Sequence, residues 1–246
     1  MSQDPCADPR AREVLVDWAD HFPRAILFDF NGTLSDDEPI LLAIFTLLCD
    51  RHFGVALYPV DYYARLAGRS DREIVEVIVG EHATSHPAPV DGSLVNKMLV
   101  EELLIERREE YLRLVADHCP ISSDTQALVR ALAGSNVPLG IVTGAQRPDV
   151  AAVLASAGLA SHFATMITEE DVAVGKPDPE GYLSAARQLQ IPPENILVFE
   201  DSLAGIAAAQ SAGMRCLGIP GTRSAETLAA LADGVAFRLT PDLFNA

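Results

Sequence analysis

The chain has 246 residues, 49% of them hydrophobic, enough for one large domain or a core with an inserted module and too many for an intrinsically disordered chain. With 18 basic against 35 acidic residues, its formal charge is -17. Such a surface repels nucleic acid and anionic membranes, so neither is expected as a partner.

Met1 to Arg10 reads as a frayed tail. Glu13 to Phe22 reads as a short helix, with Val14, Trp18 and Phe22 spaced for one face. These first residues are polar and carry no signal peptide, and no apolar run approaches the ~18 residues of a membrane span. Four scattered cysteines, Cys6, Cys49, Cys119 and Cys216, form no CxxC pair. Free thiols in a reducing compartment are expected, and with them a soluble, cytoplasmic protein.

Ile26 to Phe28 is a short apolar run that reads as a buried parallel strand, ending in Asp29 and turned by Gly32. In Ser35-Asp36-Asp37-Glu38-Pro39, either aspartate can cap a helix that runs through Leu41, Phe45 and Leu48 to Gly54. A second helix is expected after Pro59. Ser70-Asp71-Arg72-Glu73 is a capping box for a third, lined by Ile74, Val77 and Ile78 and ended near Gly80. His82 and His86 have the spacing of a zinc-binding pair, but no third ligand accompanies them and a solvated loop is the plainer reading. Ser85 to Gly92 reads as a loop and Ser93 to Ala116 as a long charged helix.

From Val137 onward strands and helices alternate. Strands are expected at Val137–Val142, Phe163–Thr168, Ile196–Phe199 and Met214–Ile219, with an edge strand at Val235–Leu239. Helices are expected at Arg147–Ala157, after Asp178, after Ser202 and near Ala225–Leu231. This alternation implies a doubly wound, Rossmann-like parallel sheet with right-handed crossovers. The organisation expected is an N-terminal extension at 1–23, an α/β core at 24–35 and 122–246, and an all-helical insertion at 36–121.

Four stretches place polar or charged residues at strand ends: Asp29, well placed to be a nucleophile or a metal ligand, Thr143-Gly144, Lys176 in Gly175-Lys176-Pro177-Asp178-Pro179, and Glu200-Asp201. Taken singly, each has a plain alternative. Asp29 or Asp201 could cap a turn or helix, and Thr143 could simply open a turn. Ser202, however, can cap the following helix and leave Asp201 free.

Asp29-Phe30-Asn31-Gly32-Thr33-Leu34, Thr143, Lys176 and Glu200-Asp201, in this order, resemble the four motifs of the haloacid dehalogenase superfamily. Within it, the β-phosphoglucomutase-like branch with a helical cap is the nearest likeness, through Gly175–Pro179, Phe199–Ile206 and Leu66-Ala67-Gly68-Arg69-Ser70. The resemblance implies a Mg²⁺-dependent phosphatase that acts on a small organophosphate, such as a sugar phosphate, through an aspartyl phosphate. It makes Asp29 the nucleophile. Asp29, the carbonyl of Asn31, and Glu200 and Asp201 become the metal site, and Lys176 the charge-balancing cation. Thr143, Gly32 and Gly144 become phosphate contacts. Arg69 or Arg72, in the cap, and Arg147 are candidates to reach the substrate, and the cap is expected to close over it.

Asn31 departs from the pattern, because the family's phosphatases mostly carry an acid there that shuttles protons. The sequence leaves four consequences open. They are slow hydrolysis; a substrate whose leaving group needs no proton, or a long-lived phosphoenzyme kept for transfer; a residue changed on purpose to trap a complex; and deamidation at Asn31-Gly32. A phosphate-binding protein that has lost turnover through Asn31 is a further alternative. A cap acid such as Glu38 could also substitute. A metal-free hydrolytic dehalogenase is disfavoured by Glu200-Asp201. A small phosphorylated metabolite is the partner expected, with the chain a monomer or homodimer.

Overall fold

The computed structural model describes residues 8–66, 69–82 and 92–244. Cys6, Ala67, Gly68, His86 and residues 85–91 of the expected loop lie outside the described residues, so the His82/His86 pair is not described as a pair. The chain divides into two compact units, Met1–Asp36 with Cys119–Ala246, and Asp37–His118. No helix among the described residues is long and apolar enough to cross a membrane.

In chain order the elements are α1 (Pro9–Ala19), β1 (Ala25–Phe28), α2 (Glu38–Phe53), α3 (Pro59–Arg65), α4 (Asp71–His82), α5 (Gly92–Asp117), α6 (Ser123–Gly134), β2 (Leu139–Val142) and α7 (Arg147–Ala157). There follow β3 (Phe163–Ile167), α8 (Glu180–Leu189), β4 (Ile196–Glu200), α9 (Leu203–Ser211), β5 (Arg215–Gly218), α10 (Ala225–Ala229) and β6 (Gly234–Val235).

The first unit is built on one sheet of order β3-β2-β1-β4-β5-β6, parallel throughout. It is the doubly wound arrangement expected from the alternation of strands and helices. Its central strands are buried on both faces, which explains why β1, β2 and β4 read as continuous apolar runs rather than alternating ones. Strand order reverses between β1 and β4, and the crevice beyond the carboxyl ends of strands at such a reversal is where α/β sheets bind ligands. Asp29 follows β1 there, its N–H bonded to Phe199 O of β4 at 2.9 Å.

Of the expected tail, residues 1–7 lie outside the described residues, and residues 8–10 form the cap and first turn of α1. Asp8 caps α1 by accepting from Arg10 N–H, and Pro9 suits the first turn. Asp8 also accepts from Val235 N–H at 3.0 Å, tying the cap to β6. Trp18 Nε1 donates to Ala25 O and Asn195 O, and its ring meets Phe244 edge-on at 5.7 Å. The helix starts at Pro9 rather than Glu13, and its buried face is Ala11, Leu15 and Trp18. Phe22 lies beyond the helix end and is exposed.

Some boundaries differ elsewhere. Helix α6 was not among the expected elements, although Ser122 caps it and Leu128, Val129 and Leu132 line its buried face. The last strand is only Gly234–Val235. In the second unit α4 continues through Gly80 to His82, because a glycine inside a helix lowers stability without breaking it. Ile74, Val75, Ile78 and Val79 are its buried residues.

Among the described residues the second unit contains only helices. Its interior is partly polar. Asp37 is the residue before α2, but its side chain makes no capping bond. The carboxylate instead accepts from Tyr111 Oη at 2.8 Å. Arg107 lies over the Tyr111 ring and pairs with Asp71 at 3.1 Å. Tyr62 Oη donates to Glu38 Oε2 at 2.8 Å.

Burial pushes the Asp37 carboxyl up to about 7, with Glu38 adding to the effect and Tyr111 and Arg107 opposing it. The folded state therefore takes up a proton near pH 7, which the unfolded chain takes up only near its ordinary value of 3.8. Stability from this group is full below the lower value, declines as pH rises between the two, and is lost above pH 7. Asp37→Asn is expected to flatten the fall in Tm between pH 5 and pH 8. Each kcal/mol recovered at the upper end corresponds to roughly 2–4 °C. Thermal melts of the two chains across that range check it, and parallel pH profiles would place the Asp37 charge elsewhere than in the folded interior.

Candidate active site

The carboxyl ends of β1 and β4 bring Asp29, Glu200 and Asp201 together, and all three side chains are buried. Each offers a carboxylate oxygen, and these atoms lie within 4.8 Å of one another. Lys176, from the segment before α8, reaches them. Its Nζ is 2.5 Å from Asp29 Oδ1 and 2.5 Å from Glu200 Oε1.

One ammonium thus serves two carboxylates, with a third beside them. Burial drives the Asp29 carboxyl well up, and Glu200 and Asp201 push the same way against Lys176. Burial likewise raises Asp201, to about 6, helped by the charge of Glu200. Burial alone would lower the Lys176 ammonium, but Asp29 and Glu200 hold it above its ordinary range. The cluster is short of positive charge.

Glu200 is the most constrained of the acids. Its Oε1 accepts from Lys176 and, at 3.3 Å, from Tyr182 Oη. Its Oε2 accepts from Ser202 N–H and Ser202 Oγ, both at 2.9 Å. Ser202 Oγ also accepts from Gly205 N–H, capping α9. A Cβ at Gly205 would overlap the Glu200 carboxylate, so that position has room for glycine only.

A similar constraint acts at Gly32. Its φ of +82° favours glycine, and a Cβ there would overlap Asp201. Gly32 N–H donates to Ser35 O at 2.8 Å. That bond ties up the nitrogen that would have to attack the Asn31 side chain for deamidation. Asn31 Oδ1 is buried and makes no hydrogen bond among the described residues.

Thr143 lies at the end of β2, neighbour to β1, with its hydroxyl accepting from Ala145 N–H at 3.0 Å. Gly144 follows it, with open space where a Cβ would be. Arg147 does not join the cluster. Its guanidinium is held by Asp171 and by Met166 O, and its N–H by Glu170. Arg69, Arg72 and Glu38 belong to the helical unit. Arg72 pairs with Glu101 there at 2.8 Å, and the Glu38 carboxylate accepts from Tyr62.

Two further contacts have no motif to announce them. Tyr182 looks like a helix-lining aromatic, but its ring also lies 5.4 Å from the Lys176 ammonium while its hydroxyl reaches Glu200. Its position six residues after Lys176, on the buried face of α8, is the one signal the sequence carries. Thr222, after β5, donates to Asp201 Oδ2.

Comparison with known proteins is consistent with this construction. A profile of the haloacid dehalogenase-like hydrolases matches residues 23–213. The chain is 33% identical over 207 residues to validoxylamine A 7'-phosphate phosphatase of Streptomyces hygroscopicus subsp. limoneus, covering 84% of this chain and 90% of that protein. A putative β-phosphoglucomutase of Thermotoga maritima shares the fold, with a TM-score of 0.70 at 23% identity over 90% of this chain and 97% of that one. A mutant of CbbY from Rhodobacter sphaeroides, solved with xylulose-(1,5)bisphosphate, has a TM-score of 0.71 at 27% identity, covering 86% and 92% of the two chains. With a family match over most of its length and a relative at 33% identity, the chain belongs to the haloacid dehalogenase-like hydrolase family.

Proposed function

We propose that the chain is a Mg²⁺-dependent phosphatase of a small organophosphate, a sugar phosphate or similar polyol ester, and that it works through an aspartyl phosphate on Asp29. The observation that carries this reading is the shared ammonium: Lys176 bridges Asp29 and Glu200 at the switch point of the sheet, with Asp201 completing a cluster of three acids. Phosphoryl transfer needs a nucleophile in line and neutralised charge, and little covalent chemistry besides. The names of the phosphatase relative and of the sugar bisphosphate bound by CbbY support the substrate class.

The donor set fits a hard divalent cation. Three buried carboxylates stand beside one ammonium, and burial, with the charge of the neighbouring acids, raises the protonation range of Asp29 and Asp201. Asp29, Asp201 and the carbonyl of Asn31 would hold it. Glu200 has both oxygens engaged by Lys176, Tyr182 and Ser202, which suits it to fixing Lys176. When bound, Mg²⁺ supplies the charge that lets neighbouring acids ionise together and offsets the phosphoryl oxygens.

Asp29 attacks phosphorus, the bond from phosphorus to the ester oxygen breaks, and the alcohol leaves. Lys176 balances the charge that develops on the phosphoryl oxygens. The Thr143 hydroxyl and the amides after it line the neighbouring strand end, where a phosphate oxygen can be held. Water then attacks the phosphorus of the aspartyl phosphate, releasing phosphate and restoring Asp29. Asn31 has no proton to give the leaving alcohol and cannot take one from the water, so solvent supplies and accepts both. This slows the second step in particular; in the second reading, a phosphotransferase, the phosphoenzyme lives long enough for an acceptor alcohol to replace water, its proton passing to solvent as water's does.

Phosphate release from a general monoester is expected to require Mg²⁺, to stop with chelator, and to fall to background in Asp29→Ala. Colorimetric phosphate assays on the two chains check this, and undiminished release by the alanine variant would remove Asp29 as nucleophile. Asn31→Asp is expected to raise kcat by roughly 10²–10⁴, the usual worth of general acid–base help. Steady-state kinetics on that variant decide the matter, a fall in kcat showing that the amide has a catalytic purpose of its own.

A further inference from the structure

We propose that Thr222 is a positioning residue that fixes the Asp201 carboxylate for the divalent cation; the inference rests on the metal reading given above. Thr222 lies in the turn between β5 and α10. That turn leaves the sheet beside the acids, with Ile219 N–H bonded to Glu200 O at 2.7 Å. The Thr222 hydroxyl donates to Asp201 Oδ2 and lies 3.5 Å from Asp201 O, so it touches both the side chain and the backbone of one residue.

The opposite side of Asp201 is closed as well. A Cβ at Gly32 would overlap its carboxylate. The turn that carries Thr222 also packs on that same glycine, since a Cβ at Gly221 would lie 3.0 Å from Gly32 O. Asp201 is therefore enclosed by the loop after β1 on one side and the loop after β5 on the other. Only the second of these offers it a side-chain hydrogen bond among the described residues.

The consequence is preorganisation. A buried carboxylate with one oxygen fixed cannot rotate about its Cβ–Cγ bond, so its place in the donor set is decided before the cation arrives. Groups that orient a ligand in this way typically cost about 10- to 100-fold in metal affinity when removed. Thr222 has no part in the proton or phosphoryl steps described above. Its effect should appear in cation binding by the protein without substrate.

Thr222→Val keeps the shape and removes the hydroxyl, Thr222→Ser keeps the hydroxyl, and Thr222→Ala removes it with no added bulk. The full chain and the three variants are titrated with Mg²⁺ alone, and the dissociation constant is read from the rise in Tm. The valine and alanine variants are expected to bind Mg²⁺ about 10- to 100-fold more weakly. The serine variant should stay close to the parent, and all should melt near the parent in chelator. Should valine fail to fold, the alanine and serine pair carries the same comparison. Equal Mg²⁺ affinity in the hydroxyl-free variants and the parent overturns the proposal, as does a serine variant weakened as much as they are. A parent chain that does not respond to Mg²⁺ overturns the metal reading itself, a different outcome from a responding parent with unaffected variants.

Discussion

Lys176 Nζ lies equally close to Asp29 and Glu200, and the electrostatics of the whole site follow from that sharing. A buried carboxylate is costly unless it is paired and hydrogen-bonded. Here one cation serves two anions, and a third anion stands within ligand distance. The rest of the sheet edge is arranged around this deficit. Tyr182 lies beside the ammonium and bonds the carboxylate it serves, and the α9 cap turns Ser202 and its backbone N–H toward the other oxygen. Glu200 is thereby fully engaged, whereas Asp29 keeps one oxygen that accepts no hydrogen bond among the described residues. That difference suits the roles proposed for them, since a nucleophile needs a free lone pair and an orienting acid does not.

The glycines explain how the acids come so close to the backbone. Asp201 occupies the space a Cβ would need at Gly32, and Glu200 the space a Cβ would need at Gly205. Alanine at either place would have to displace a carboxylate already bound on its far side. These positions link the fold to the chemistry, since the same residues that let the loop after β1 turn and α9 begin also admit the acids to the crevice. The position of the crevice is itself a property of the strand order. Strand order reverses at the β1–β4 junction, and the crevice lies beyond the carboxyl ends of the strands there.

Much of this was legible in the sequence, for reasons that differ by residue. The buried strands read clearly because both of their faces are apolar, and the strand-end acids stand out because a carboxylate at the end of such a run is unusual. Asp8 and α6 went unread although both carry ordinary capping signals; the proline-rich start hid one, and the change from helices to alternating elements hid the other. Arg147 had the right position, opening a helix after Thr143, but its guanidinium turns to Asp171, and a strand-end position does not specify a rotamer. Asp37 had the sequence of a cap and became a buried acceptor for Tyr111, 74 residues away, a contact no local pattern contains. Thr222 was invisible for the same reason: its partner, Asp201, lies 21 residues earlier, just past the end of another strand.

Asn31 is best understood through charge as well as proton transfer. An acid at position 31 would bring a further negative group to a site where Asp29 and Asp201 already protonate more readily than isolated acids. The amide adds no charge, so Lys176 has less negative charge to balance than it would with an acid at position 31. Under the proposed function, what it withholds is a proton donor for the leaving alcohol and a base for water. Asn31 Oδ1 stays buried without a hydrogen bond among the described residues, which is costly unless a ligand supplies the missing donor. A substrate hydroxyl or an ordered water would do so. Under the proposed function, that unmet acceptor would suit a substrate that brings hydroxyls next to its phosphate, which would make Asn31 matter to binding as much as to rate.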